Sequence, residues 1–286
     1  MKIKFTKMHG CGNDYVYINC FEQKIDNPSQ LSMRLSDRRY SIGGDGIILI
    51  ERSNIADAKM RIFNKDGSEG KMCGNGIRCV AKYLYDNKMC KSEKNIKIET
   101  LSGVKTLDIL ENNGNKAKVK VDMGKASLNS SDIPMILSKD KVISEPITLD
   151  NDTYKITCVS VGNPHCIIFV DEVYSVNVRE IGTQLSSHTI FPEGVNVEFV
   201  SVLDKNNLTM RVWERGSGET LACGSGSCAS VVAAVENGFC DRNSDITVHL
   251  RGGKLNINYG DNGLFMIGNA IKVFEGELEV WVNLYL

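Results

Sequence analysis

The feature that most constrains this chain is a repeat within it. Residues 61–76 read RIFNKDGSEGKMCGNG, and residues 211–226 read RVWERGSGETLACGSG. The two stretches align without a gap at an offset of 150 residues, the difference between positions 223 and 73. Flanking pairs match at the same offset: Gly12-Asn13 with Gly162-Asn163, and Asp86-Asn87 with Glu236-Asn237. We therefore expect an internal duplication that builds one site from two halves, with Cys73 and Cys223 facing each other.

Helices and short strands alternate in each half. After Cys73, the apolar residues Ile77, Val80, Ala81 and Leu84 recur at i, i+3, i+4 and i+7, which predicts a helix. Its wetter side is predicted to carry Arg78, Lys82 and Asp86. The equivalent second helix, from Gly226 to Asn237, is apolar almost all round, which is typical of a helix buried inside a sheet. Asn27-Pro28 predicts a further helix start, a cap followed by proline at the first helical position.

The length and the apolar content are enough for two domains. The chain has 286 residues, of which 42% are apolar. Many short strands with one or two helices per half predict a mixed α/β (α+β) fold of two pseudo-symmetric domains. Each domain is expected to be a curved, mostly antiparallel sheet around a central helix. A doubly wound sheet is not expected, because its repeated βαβ pattern is absent.

Charge and cysteine usage restrict the class of partner. Lys plus Arg number 34 and Asp plus Glu number 35, so the net charge of -1 gives no reason to expect a nucleic acid or membrane partner. A small-molecule ligand is favoured instead. The N-terminal stretch lacks the apolar run of a signal peptide, which predicts a cytosolic protein. With ten cysteines, no CxxC pair and four histidines, we expect reduced thiols and no metal site.

The repeated cysteine indicates acid/base chemistry. Backbone N–H groups and the positive end of the dipole at a helix N-terminus lower a thiol pKa, and they also bind an anion such as a carboxylate. Two such turns in one cleft would hold a carboxylate and place one sulfur on each side of its α-carbon. That arrangement can remove a proton from one face and return one to the other. The remaining eight cysteines are interpreted as core residues.

The two halves differ where a substrate is expected. His165 replaces Tyr15, and Glu214 replaces Asn64, which gives each half different acid/base groups. Four amides can hydrogen-bond an ammonium or a carboxylate group: Asn13, Asn64, Asn163 and Asn196. Arg215 can bind a second carboxylate through two hydrogen bonds, although plain surface solvation is its alternative role. The GGDG turn at 43–46 is equally consistent with a turn alone and with a ligand contact.

At these residues the sequence resembles the diaminopimelate epimerase family. The stretch from Asn64 to Arg78 fits the family's first-cysteine signature at each defined position. GNPH at 162–165, PEGVNVEF at 192–199 and WERGSGETLACGSGSCA at 213–229 match its other motifs. The resemblance covers nearly the whole chain. It implies cofactor-independent interconversion of LL- and meso-diaminopimelate, in lysine and peptidoglycan precursor biosynthesis, by a homodimer.

The resemblance also implies roles for single residues. Cys73 and Cys223 resemble the two acid/base thiols, His165 is expected to assist Cys73, and Glu214 is expected to assist Cys223. The reacting carboxylate would bind the backbone of Gly74, Asn75, Gly224 and Ser225, and the distal end of the substrate would contact Asn13, Asn64, Asn163, Asn196 and Arg215. One position departs from many members: Gly46 stands where a glutamine contributes to the pocket.

The implied domain arrangement returns the C-terminal strand to the first domain. We therefore expect one domain from residues 1–122 with 273–286, another from residues 123–272, and a cleft between them. Two other functions are carried as alternatives. One is a two-thiol racemase of the proline or hydroxyproline type, against which Arg215 and the asparagines argue because such a pocket would be tighter and more apolar. The other is a non-catalytic amino-acid-binding protein, which would need the carboxylate site but not two thiols.

Overall fold

A computed structural model of the chain describes residues 2–137, 139–150 and 152–279. The chain divides into two compact units. The first takes in residues up to Val121 together with those from Gly268 onward, and the second is Asp122–Ile267. Both mix strands with a few helices, which confirms the predicted mixed α/β class.

The first unit begins with two paired strands and contains two helices. Its elements are β1 (Lys2–Gly10), β2 (Asn13–Asn19), α1 (Pro28–Leu35), β3 (Gly46–Glu51), β4 (Ala58–Asn64), β5 (Glu69–Gly70), α2 (Gly74–Asp86), β6 (Ile96–Thr100), β7 (Gly103–Asn113) and β8 (Lys116–Gly124), the last of which runs on into the second unit. Helix α2 packs against β1, β2 and β7.

The second unit begins with an additional strand and from its second strand onward has the same order of strands and α-helices as the first. Its elements are β9 (Glu145–Leu149), β10 (Asp152–Ser160), β11 (Pro164–Phe169), α3 (Val178–Ser186), β12 (Asn196–Asp204), β13 (Asn207–Glu214), β14 (Gly218–Thr220), α4 (Gly224–Glu236), β15 (Asp245–Leu250), β16 (Gly253–Gly260) and β17 (Gly263–Glu279), with short 3-10 turns at Ser130–Asp132 and Val173–Ser175. Helix α4 packs against β10, β11 and β16.

The structure repeats at the offset read from the sequence. Strand β10 and helix α4 have the bounds of β1 and α2 shifted by 150 residues. The strand register repeats as well, since Tyr15 pairs with Gly46 in one parallel pair and His165 pairs with Asn196 in the other. Most of the other strand pairs are antiparallel, as predicted. The duplication is therefore a property of the fold and of the sequence alike.

Helices α1 and α3 start at matched caps. The Asn27 side chain accepts a hydrogen bond from Gln30 N, and Pro28 occupies the first turn of α1. Asn177 caps α3 in the same way by accepting from Glu180 N. A side-chain oxygen at this position satisfies one of the N–H groups that a helix start leaves unpaired. The predicted start at Asn27-Pro28 is thus confirmed.

Helix α4 is enclosed as predicted, but the prediction for α2 was wrong in part. Arg78 and Lys82 are each 0% exposed, whereas only Asp86 of the predicted wet face reaches solvent. The Lys82 ammonium group donates to Asp86 Oδ2 at 2.8 Å, to Asn112 Oδ1 at 2.9 Å and to the Gly114 carbonyl at 2.7 Å. Charged side chains can be buried when such partners replace their hydration, and helical periodicity does not reveal those partners.

Strand β17 joins the end of the chain to its beginning. It pairs with β1 from Ile271↔His9 to Glu279↔Lys2, with a register shift between Lys7 and Met8. The predicted C-terminal strand at 273–286 is therefore a strand as far as Glu279, and its residues 280–286 lie outside the described part of the chain. No helix among the described residues is both long enough and apolar enough to cross a membrane.

Candidate active site

Cys73 caps the N-terminus of α2. Its sulfur accepts a hydrogen bond from Gly76 N at 3.3 Å and donates one to Asn13 Oδ1 at 3.2 Å. The thiol is partly exposed. A Cβ at Gly76 would lie only 2.6 Å from Ile48 Cδ1, so the first turn of α2 packs closely on β3 at this point. The sequence predicted this cap, and the structure brings Asn13 to the sulfur.

Asn13 is held by a charged cluster behind it. Its Nδ2 donates to Asp45 Oδ2 at 2.7 Å. Arg38 bridges Asp45 and Asp14, and Lys7 pairs with Asp14 at 2.7 Å. Lys7 and Arg38 hold the pKa of Asp14 below its usual value, although burial acts most strongly and in the opposite direction. This cluster was not predicted from the sequence, although the acidic residue in the GGDG turn, Asp45, was a visible signal.

Asn75 and Asn64 lie in the same unit as Cys73. Arg78 donates to Asn75 Oδ1 at 2.8 Å and to the Gly74 carbonyl at 2.9 Å, so the buried guanidinium fixes the first turn of α2. Asn75 Nδ2 lies 3.5 Å from Asn13 Oδ1. Asn64 instead donates to Ser68 Oγ at 3.1 Å. Asn13, Asn75 and Cys73 therefore form one hydrogen-bonded group, whereas the Asn64 side chain binds Ser68.

Gly46 leaves no space for a side chain. A Cβ at this position would lie 2.1 Å from the Phe63 carbonyl oxygen and 3.0 Å from Tyr15 Cε1. Any side chain at this position would need a shift of the β3–β4 backbone. In the second unit the equivalent pair is His165 with Asn196. The His165 imidazole is smaller than the Tyr15 ring, and the residue opposite it has a side chain.

Cys223 caps α4 as Cys73 caps α2. Its sulfur accepts from Gly226 N at 3.3 Å and lies 3.5 Å from Ser225 Oγ. Unlike Cys73, the residue is only 6% exposed. Ser225 also accepts a hydrogen bond from Asn163 Nδ2 at 3.4 Å. Three of the predicted residues, Cys223, Ser225 and Asn163, thus meet at the start of α4.

The expectation of a lowered thiol pKa is wrong for Cys223. Burial raises its pKa well above the usual value, and the negative charges of Glu214 and Glu198 act in the same direction. The hydrogen bonds from Ser225 and from Gly226 N lower it, but by less. Two carboxylates and removal from water outweigh the helix N-terminus here. The resting form of Cys223 is therefore the protonated thiol.

Glu214 lies at the end of β13 and faces Cys223. Burial raises its pKa, and the charge of Glu198 adds to that effect. Hydrogen bonds from Thr220 and with Cys223, together with the charge of His165, oppose the shift. A carboxyl group with a raised pKa beside a thiol is typical of a proton-transfer site. Thr220 Oγ1 donates to Glu214 Oε1 and so orients the carboxyl group.

His165 makes two close contacts within its own unit. Its Nδ1 lies 2.7 Å from Glu198 Oε1, and its Nε2 lies 3.1 Å from Asn163 Oδ1. His165 and Glu198 are both 0% exposed. His165 was predicted as a site residue from the sequence, whereas Glu198 was not. The sequence signal for Glu198 was an acidic residue between Val197 and Phe199 in the largely apolar run VNVEFV.

The side chains of Asn196 and Arg215 both bind main-chain groups. Asn196 Nδ2 donates to the Pro164 carbonyl at 3.2 Å, and its Oδ1 accepts from Arg215 N at 2.9 Å. The Arg215 guanidinium donates to the carbonyls of Glu193 and Gly194. Arg215 is exposed. Within the part of the chain that the structure describes, no group of three or more His, Cys, Asp or Glu side chains could hold a metal ion.

Comparison with solved structures finds proteins of the same fold. A PhzF-family phenazine biosynthesis protein from Bacillus anthracis has the same fold, with a TM-score of 0.70 and 16% identity, over 98% of this chain and 100% of that one. A probable proline racemase from Agrobacterium radiobacter gives a TM-score of 0.70 at 13% identity, over 98% of this chain and 93% of that one. The fold is thus one that racemase-like and PhzF-like proteins share.

The sequence comparisons narrow that class. The family profile for diaminopimelate epimerase matches residues 5–129 and 157–273. A diaminopimelate epimerase from Acetivibrio thermocellus is 49% identical over 281 residues, which cover 97% of this chain and 99% of that protein. One from Geobacillus is 51% identical over 279 residues, covering 96% and 98%. The chain therefore belongs to the diaminopimelate epimerase family, and it is an isomerase of the epimerase type. The proline racemase is similar in fold alone.

Proposed function

We propose that this protein interconverts LL- and meso-diaminopimelate without a cofactor and that Cys73 and Cys223 are its two acid/base thiols. One sulfur, as thiolate, takes the α-hydrogen, and the other, as thiol, delivers a proton to the opposite face of the same carbon. The observation that supports this most is the repeated cap. Each cysteine begins a helix and accepts from the N–H three residues on. The product would serve lysine and peptidoglycan precursor biosynthesis, as the family name suggests.

The assisting groups differ between the two thiols. We assign Glu214 to Cys223, which is supported by their hydrogen bond and by the raised pKa of both groups. His165 is assigned to Cys73 on family resemblance alone. Its two ring nitrogens contact Glu198 and Asn163, so it is not assigned as the group that takes the Cys73 proton. Because Cys223 is protonated at rest, it is the acid of the first half-reaction in one direction, and a thiolate is required of Cys73 there.

The substrate's reacting carboxylate is assigned to the first turns of α2 and α4. The N–H groups of a helix start have no intrahelical partners and bind anions well. Gly74 with Asn75, and Gly224 with Ser225, supply such groups. We assign the distal amino-acid end to Asn13, Asn64, Asn163 and Arg215. Asn196 belongs with them as the residue that orients the Arg215 backbone, since both ends of its amide already bind main-chain groups.

Hydrogen exchange at the α-carbon tests this proposal. The purified protein is incubated with LL-diaminopimelate in deuterated water, and meso product and α-deuteration are followed together. Formation of meso product with deuterium at the inverted carbon supports the two-thiol reaction. Replacing either Cys73 or Cys223 by alanine should abolish epimerisation, because one face then lacks its acid or its base. Epimerisation at near the unmodified rate by either variant would contradict the assignment.

Proline and hydroxyproline serve as the competing substrates. Faster racemisation of either than of diaminopimelate would favour the proline type, and binding of diaminopimelate without α-deuteration would favour a binding protein. The proposal includes a cytosolic homodimer. The homodimer rests on family resemblance, and sedimentation of the purified chain tests it.

A further inference from the structure

A buried carboxylate stands beside His165, and the first half of the chain has nothing equivalent. Glu198 lies on β12 and is 0% exposed. Its Oε1 contacts His165 Nδ1 at 2.7 Å, while its Oε2 has no hydrogen-bond partner among the described residues. Removing a carboxylate from water is costly unless partners replace the hydration. The presence of Glu198 at this position therefore calls for a role beyond filling space.

The packing of the fold does not require a carboxylate there. At the offset of 150 residues, 198 less 48, the counterpart of Glu198 is Ile48. A Cβ at Gly76 would lie 2.6 Å from Ile48 Cδ1, and a Cβ at Gly226 would lie 2.5 Å from Glu198 Oε1. Both side chains thus cover the same glycine in the first turn of their helix. An aliphatic side chain is sufficient for that packing in the first unit.

The contacts of His165 define what the carboxylate does. An ionised carboxylate only accepts hydrogen bonds, so His165 Nδ1 donates to Glu198. The Asn163 amide oxygen is also an acceptor, so His165 Nε2 donates to it at 3.1 Å. A ring with a proton on each nitrogen satisfies both neighbours.

The contacts of the His165 ring also orient the Asn163 side chain at the start of α4. With its Oδ1 facing His165, Asn163 directs its NH2 group at Ser225 Oγ, 3.4 Å away. Ser225 Oγ in turn lies 3.5 Å from the Cys223 sulfur. A continuous series of contacts therefore runs from Glu198 through His165, Asn163 and Ser225 to the thiol.

We propose that Glu198 is a positioning residue of the reaction. It fixes the protonated His165 ring, which holds Asn163 with its NH2 group at the first turn of α4. An NH2 group fixed there binds a carboxylate of the substrate and not its ammonium group, because it can only donate. This inference rests on the proposed function, since it assigns the side chains behind that site.

Two variants of the full chain separate positioning from packing. Glu198→Gln keeps an acceptor oxygen but removes the charge, and Glu198→Ile introduces the residue of the first unit and removes the acceptor. Asp204→Asn is the matched control, because it removes one charge from the exposed end of the same strand. Nitrogen-15 NMR reports protonation of the four imidazole rings at pH 7, with His165 assigned from a His165→Gln spectrum. The kcat and KM for LL-diaminopimelate are measured alongside, and circular dichroism checks folding.

We expect both ring nitrogens of His165 to be protonated in the unmodified protein, and Asp204→Asn to change nothing. The variants should show a graded loss of kcat/KM, about tenfold for Glu198→Gln and about a hundredfold for Glu198→Ile, by analogy with partners that orient metal-bound histidines. An unprotonated Nδ1, unchanged activity of Glu198→Ile, or unfolding of both variants would overturn the proposal. Because the ring is read without substrate, an inactive unmodified protein with a protonated Nδ1 would instead refute the proposed function.

Discussion

Cys73 and Cys223 have the same backbone setting but different surroundings. Each sulfur accepts from the N–H three residues later at 3.3 Å. Cys73 is partly exposed and bonds to an amide, whereas Cys223 is buried beside two carboxylates. A two-thiol reaction needs one ionised and one protonated sulfur at its start, and surroundings that differ in this way can supply both states.

The two thiols should therefore react at different rates with iodoacetamide. Alkylation requires a thiolate and access, and the Cys223 thiol is 6% exposed with a raised pKa. At neutral pH we expect Cys73 to be modified at least about tenfold faster than Cys223, since reactivity follows thiolate content and exposure. Peptide mass spectrometry over a time course gives both rates, and fully buried Cys166 is the unreactive control. Equal alkylation rates for Cys73 and Cys223 would contradict the difference in exposure and thiolate content between the two thiols.

Glu214 should make the stability depend on pH. Its pKa is raised from the usual 4.5, chiefly by burial, so between 4.5 and the raised value the folded state binds more protons than the unfolded state. Stability contributed by the protonated form is then lost as pH rises through that window. We expect the urea midpoint of the unmodified protein to fall as pH rises over that range. The midpoint of Glu214→Gln should fall less.

The control for that measurement is Glu193→Gln, the same change at an exposed position in the same unit. It should follow the pH dependence of the unmodified protein. If the urea midpoint of Glu214→Gln changed with pH in parallel with that of the unmodified protein, Glu214 would titrate alike in the folded and unfolded states. That result would contradict the prediction.

At the scale of single elements, the helices show why an amphipathic pattern is an incomplete guide. The periodicity of Ile77, Val80, Ala81 and Leu84 located α2, and all four residues are buried. The same pattern predicted that the Lys82 side chain would be exposed to solvent, but it is buried. Lys82 instead ties the last turn of α2 to the β7–β8 turn through Asn112 and Gly114. Side chains from other elements decide whether a polar face is wet.

Lys82→Met should accordingly destabilise the first unit. It removes a buried cation that makes three hydrogen bonds, and losing hydrogen bonds to a charged group should cost at least about 1.5 kcal/mol. Lys118→Met removes an exposed pair with Glu111 at 3.6 Å and should cost at most about 1 kcal/mol. Urea denaturation of the two variants compares these values. A similar small cost for both would mean that the Lys82 contacts add little to stability.

On the scale of the whole molecule, the duplication repeats the backbone but not the polar side chains. Elements and strand registers recur at the offset of 150 residues, whereas Tyr15 with Ile48 becomes His165 with Glu198. The repeated backbone supplies two helix starts of one kind. The polar residues that differ between the halves give each start its own chemistry.

The first unit depends on the return of the chain through β17. Strand β1 pairs with β2 on one side and with Ile271–Glu279 of β17 on the other, and buried Ile3 packs in a cluster that includes Leu278. A chain ending at Ile267 would leave an edge of β1 unpaired and apolar residues exposed, which favours aggregation. We expect this truncated chain to be insoluble or to melt far below the full chain, as measured by circular dichroism of the soluble fraction. A soluble product with an unchanged melting temperature would contradict that dependence.

The sequence alone determined what depends on local pattern and on the repeat. Turn residues, apolar periodicity and caps located α1, α2 and α4, because these signals act between residues close along the chain. The offset identified Cys73 and Cys223 as equivalent, because a duplicated backbone preserves spacing. The mixed α/β class followed from the alternation of short strands with helices.

Only the tertiary structure decided which polar groups are buried together. Glu198 meets His165 because parallel pairing of β11 with β12 brings residues 33 positions apart into contact. The raised pKa of Cys223 arises first from burial and then from the negative charges of Glu214 and Glu198, which belong to two different strands. Burial and charge depend on every neighbour in space, and most of those neighbours are distant in the sequence. For that reason the sequence could name both cysteines and still give the wrong direction for the pKa of Cys223.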